Sequence, residues 1–165
     1  HIRDTIRRIQ VAVPSRAQFE PGFYRWLERI CRMATNMECH TEFYGRDDVL
    51  PLIEQYVKNR HPEMRYSCSM MLHWSEMPKL ATSVSNDHLF IIVTARKGTV
   101  SYKNALERLP DEIQNYFSDK NIMIIFPDQH GDAMEEMTFA QPQHTEDQSA
   151  YESLRKWMKK NLMRK

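Results

Sequence analysis

No apolar run in this sequence is long enough to cross a bilayer; stretches such as Ile122–Phe126 fall far short of the ~20 residues a membrane helix needs. A surplus of one charge is also lacking. The chain has 23 Lys and Arg against 22 Asp and Glu, a formal charge of +1, so no global field argues for nucleic acid or an acidic partner. The three cysteines, Cys31, Cys39 and Cys68, are odd in number and form no CxxC pair. Each therefore reads as a small buried hydrophobe, not a disulfide or zinc ligand, and a reducing compartment is expected. GxSxG, HExxH and GxxxxGK[ST] are all missing. The seven histidines are scattered, and no internal repeat or low-complexity tract occurs. His1 is not an initiator Met and no signal-peptide pattern follows it, so the chain reads as a piece of something longer.

What is present fits one globular domain. The 165 residues can bury a proper core, and 41% apolar with 27% charged residues is ordinary globular composition. His1–Arg8 is a polar, basic lead-in. Strands are expected at Ile9–Val13, Cys39–Tyr44, Tyr66–Leu72, His88–Thr94 and Asn121–Phe126, each a short apolar or β-branched run. Helical stripes alternate with them. Phe23, Trp26, Leu27, Ile30 and Ala34 share one face of Pro21–Asn36, and Val49, Leu50, Ile53, Tyr56 and Val57 share another behind Asp47 or Asp48 as cap. His61-Pro62 stops that second helix. A short helix over Glu76–Val84 and one over Lys103–Phe117 follow, the latter with Pro110 inside it and hence a kink or restart.

Strands alternating with amphipathic helices predict a three-layer, Rossmann-like α/β domain over residues 9–127. Its five-stranded parallel sheet takes the order 3-2-1-4-5, with Ile9–Val13 central and beside His88–Thr94. Residues 128–165 form a different segment. Asp128–Asp147 carries six acids and no Lys or Arg, and a basic closing helix is expected from Gln148 to Leu162.

Few residues point to chemistry. His40 and His88 stand at strand starts and read as partnered residues more readily than as ligands. The neighbours Asp47-Asp48 and Glu135-Glu136 read as solvated charge. The loop Thr94–Ser101 leaves the strongest strand for a helix, carrying Arg96, Lys97 and Gly98 past the carboxyl end of the sheet. In the order 3-2-1-4-5 the switch point lies between the first and fourth strands, where such sheets bind ligands. An anion site is expected there from Arg16, Arg96 and Lys97 with the backbone of Gly98 and Thr99; solvated loop charge is the alternative.

The strand order, with a fourth strand running into a glycine-containing loop, resembles the universal stress protein superfamily over about Arg8 to Pro127. The stretch from Asp87 to Gln129 is similar to the cytosolic C-terminal domains of bacterial CPA2-type monovalent cation:proton antiporters. The resemblance is carried by Ala95–Gly98, Ser101-Tyr102, Leu109-Pro110 and Pro127–Gln129. Nucleotide-binding members have an Asp at the end of the first strand and Gly-x2-Gly-x9-Gly-Ser/Thr after the fourth. Here Pro14-Ser15 stands at the first place, and the next glycine after Gly98 is Gly131. The resemblance thus implies the fold but not ATP binding.

It further implies a non-enzymatic regulatory or assembly domain on the cytoplasmic side of the inner membrane, behind a membrane-spanning antiporter domain of the same polypeptide. No cofactor, metal or nucleic-acid partner is implied. The alternative is a free-standing universal-stress-type nucleotide-binding protein. A homodimer is expected. The fifth strand is an apolar edge (Ile122, Ile124, Phe126) that proteins cover, by a second copy or by Met134–Ala140 folding back, and the second copy is preferred.

Overall fold

A computed structural model of the chain describes residues 6–95, 99–127 and 135–139. Strand β1 (Arg8–Ala12) is followed by a single 3₁₀ turn at Ala17–Phe19 and helix α1 (Phe23–Met37). Strand β2 (His40–Gly45), helix α2 (Leu50–Arg60) and strand β3 (Tyr66–Met70) complete the first half. A 3₁₀ stretch (Trp74–Ser83), strand β4 (His88–Val93), a second 3₁₀ stretch (Asn104–Arg108), helix α3 (Leu109–Tyr116) and strand β5 (Asn121–Phe126) form the second. Strand β6 (Glu135–Phe139) follows.

The sheet runs β3-β2-β1-β4-β5-β6. The five strands foreseen are parallel in the expected order, with β1 paired to both β2 and β4. Ile9 is registered with Thr41 on one side and Leu89 on the other. Alternate residues of each strand enter separate cores. Ile9, Val11, Phe43, Leu89 and Ile91 pack with Phe23, Trp26, Ile30, Ile53 and Val57 of α1 and α2. Ala12, Phe90, Ile92, Ile122, Ile124 and Phe126 face Trp74, Met77, Leu106, Leu109, Ile113 and Phe117 on the opposite side. There the Phe90 and Phe117 rings stack with centroids 4.7 Å apart.

The edge expectation is corrected. β5 is not an edge strand, because β6 pairs antiparallel along it from Ile122↔Phe139 to Phe126↔Glu135. The chain's own segment takes the place assigned to a second copy. Moreover, the Ile122, Ile124 and Phe126 side chains lie in the second core, each at most 2% exposed, and offer no docking surface. Acidic residues did not keep this segment from the edge: pairing is through backbone N–H and C=O groups, and β6 is itself the outermost strand.

Local corrections have local causes. Neither Asp47 nor Asp48 caps α2: its cap residue is Val49, without a side-chain bond, and Pro51 enters the first turn, where no N–H is needed. The stretch at Trp74–Ser83 is 3₁₀ and contains Pro78. The restart foreseen at Pro110 is real, with the 3₁₀ stretch giving way to α3 at Leu109. Cys31 and Cys39 are buried as expected, whereas Cys68 is only half-buried. Ile6 of the lead-in is buried and the Arg7 N–H bonds the Asp87 carbonyl at 2.7 Å, so the lead-in's end is docked. The closing helix expected at Gln148–Leu162 lies outside the described residues, and among those described no helix is long and apolar enough to cross a membrane.

Candidate functional site at the carboxyl ends of β1 and β4

The turn after β1 is built by three local constraints. Pro14 has no N–H to extend a ladder. Arg16 adopts a left-handed conformation (φ 66°), which reverses the chain into the 3₁₀ turn at Ala17–Phe19. Glu20 then precedes Pro21-Gly22 and α1. The result turns the Glu20 side chain inward, leaving it 4% exposed.

Glu20 crosses the switch point. Its Oε1 accepts the Ser101 N–H at 2.8 Å and the Ser101 hydroxyl at 2.7 Å, joining the β1–α1 turn to the segment after β4. A backbone N–H beyond a parallel strand is the kind of donor that holds ligand phosphates in α/β sheets. Here a carboxylate of the chain already takes it. The cavity between these segments measures about 10 Å³ and is lined by Ser15, Ser101, Arg46, Trp74 and Lys103 among others. That admits one water-sized body, whereas small-molecule pockets run to roughly 300–1,000 Å³.

Of the residues assigned to an anion site, Arg96, Lys97 and Gly98 lie outside the described residues. Arg16 is exposed and Thr99 half-buried. Glu20 and Ser101, which do meet, were not foreseen. A glutamate before Pro-Gly belongs to no periodic stripe, and its partner is 81 residues away.

A second polar cluster lies on the sheet face opposite α1 and α2, toward the strands' amino ends. Glu42, 8% exposed, accepts Arg8 Nη2 and Ser67 Oγ, each at 2.8 Å, and the Ser69 hydroxyl. His40 Nε2 is 3.3 Å from Ser67 Oγ. Burial first, and the nearby Arg8 charge second, hold the His40 pKa below its ordinary value. Beside this group Gln10 Nε2 donates to Tyr44 Oη and Ser83 Oγ, both at 3.1 Å, and Gln10 Oε1 meets His88 Nδ1 at 2.8 Å. Both strand-start histidines are thus partnered, as expected. Although Ser67 and His40 have the residue types of a nucleophile and base, the Ser67 hydroxyl gives its proton to Glu42, so this contact ties strands together. The spacing Arg8-x-Gln10, His40-x-Glu42-x-Tyr44 and Ser67-x-Ser69 was its signal, legible only once β1, β2 and β3 are neighbours.

No family model, curated protein or solved structure matches this chain.

Proposed function

We propose that this chain is the cytosolic regulatory or assembly domain of a monovalent cation:proton antiporter, non-catalytic by itself and joined to a membrane-spanning antiporter domain of the same polypeptide. The reading rests on the resemblance of Asp87–Gln129, and the parallel 3-2-1-4-5 sheet is the fold that resemblance implies. The observation that carries it over the runner-up is the Glu20 carboxylate on Ser101 at the switch point. A nucleotide phosphate entering that crevice meets a buried negative charge and a cavity of about 10 Å³. A domain of this kind acts by biasing the transporter between states, through contacts that differ between them. Any homodimer uses a surface other than the β5 edge, which β6 fills.

The test is reconstitution of the full polypeptide in proteoliposomes, with and without this domain. Antiport that survives the deletion with altered activation supports the proposal. A reading frame lacking upstream apolar helices of about 20 residues each, together with tight ATP binding by calorimetry, would instead establish the universal-stress-type nucleotide binder.

A further inference from the structure

Strand β3 is the outermost strand on its side of the sheet, and its ladder partner is β2. Its two ends show which backbone groups that pairing uses. The Thr41 N–H bonds the Arg65 carbonyl at 3.0 Å, and the Met71 N–H bonds the Gly45 carbonyl at 2.7 Å. Backbone groups alternate sides along a strand, so Arg65, Ser67, Ser69 and Met71 turn theirs toward β2. The N–H and C=O groups of Tyr66, Cys68 and Met70 therefore point away from the sheet. Among the described residues no backbone group bonds them there.

Proteins ordinarily guard such an edge with charge, proline, a bulge or a cover. β3 reads Tyr-Ser-Cys-Ser-Met, with neither charge nor proline, and its register with β2 is unbroken from Tyr66 to Met70. None of its residues is buried; Met70 is 59% exposed, and Leu72 just beyond it 42%. Beside the strand lies a groove of about 590 Å³, lined by Cys68 and Met70 and by Leu50 of α2 among others.

We propose that this edge is a self-association surface, which takes a second copy of the chain with β3 antiparallel to β3 about a two-fold axis at Cys68. The outward set is its own complement. With Cys68 opposite Cys68, Tyr66 of each copy opposes Met70 of the other, and every outward N–H and C=O of the three residues finds a partner. The groove favours the same occupant. Its rim carries Asp47, Glu54 and Lys58, with Lys58 Nζ on Glu54 Oε1 at 2.8 Å. The two-fold axis runs the second α2 antiparallel to the first, so that acid faces base in both directions. A rim of mixed sign suits a copy of itself better than a peptide of one charge. The inference stands on the strand edge and goes beyond the antiporter reading, so either can fail alone.

Sedimentation equilibrium of the whole chain, from low to high micromolar concentration, tests it. A monomer–dimer equilibrium is expected, and thiol labelling of Cys68 slows as the dimer fills. Met70→Lys puts a charge on the edge at an exposed position; it should raise the dissociation constant about tenfold or more with the circular dichroism unchanged. Should that variant fail to fold, Cys68→Pro takes its place, since it removes an outward N–H that β2 does not use. A monomer at every concentration overturns the proposal and leaves the edge to another segment of the chain or to a strand of a different protein. A dimer that either folded variant retains, or Cys68 labelling that does not depend on concentration, overturns it as well.

Discussion

Nε2 of His61 lies 2.7 Å from Oε1 of Glu28, and the same oxygen accepts the Tyr56 hydroxyl at 2.5 Å. Arg32 Nε reaches the other oxygen at 2.7 Å. The end of α2 is thereby tied to the middle of α1, above the core that both helices close. The carboxylate responds to two opposed effects. Burial raises its pKa, and the bonds from His61, Tyr56 and Arg32 outweigh that, lowering it from the ordinary 4.5 to about 2.

Because folding depresses this pKa, the stabilisation is present in full above pH 4.5 and is lost as the pH falls toward about 2. Glu28→Gln should cost about 1–2 kcal/mol at neutral pH and nothing near pH 2. Urea midpoints of both chains from pH 7 down to pH 2 check this. Parallel curves would mean that Glu28 is not the group responsible.

The Arg8–Glu42 pair should be asymmetric. The Arg8 side chain is 34% exposed and can turn to water, whereas the Glu42 side chain is 11% exposed and cannot. Arg8→Met, which strands the carboxylate, is expected to cost about 2–4 kcal/mol, and Glu42→Gln about half of that. Equilibrium unfolding of both single variants and the double variant gives the coupling. Equal costs would show that Ser67 and Ser69 suffice to hold Glu42.

Thiol chemistry should order the cysteines. Burial pushes Cys31 up to about 12 and Cys68 up to about 11, with nearby carboxylates adding to both, and it raises Cys39 as well. Cys31 and Cys39 are buried, and Cys68 is half-buried. A disulfide reagent at neutral pH should modify Cys68 first, slowly and faster with rising pH. The other two should react only at the rate of unfolding. Early labelling of Cys31 would contradict the packing of α1.

Removing residues 128–165 should unmask β5. Its backbone then loses the antiparallel partner running from Phe139 beside Ile122 to Glu135 beside Phe126. Amide exchange in Asn121–Phe126 should accelerate and light scattering should rise, since a bare apolar edge templates association. Unchanged exchange would mean that β6 contributes little to the edge.

Much of this architecture is legible before folding, for a local reason. A strand buried on both faces must be apolar throughout, as in His88–Val93 and Asn121–Phe126, and a helix lying on a sheet must show a stripe, as Phe23, Trp26, Leu27 and Ile30 do. Those patterns need only neighbours in sequence, and right-handed crossovers then limit the sheet order. Pro110 marked its restart in the same way, because a missing N–H acts within one turn.

What escaped involves pairs whose members carry no mark of each other. Glu20 and Ser101 are 81 residues apart, and Arg8 and Glu42 are 34 apart. Each pair exists because a strand register brings two backbones together. The edge of β5 is the sharpest case. Its apolar run announced that something must cover it, and six acids in the following segment argued against that segment. Backbone pairing outweighed side-chain composition, because ladder bonds are made by every residue alike and proximity along the chain lowers the cost of closure. Propensity and periodicity therefore suffice for elements and layers, while the occupant of the edge and the carboxylate in the crevice follow from distances that exist only in the folded chain.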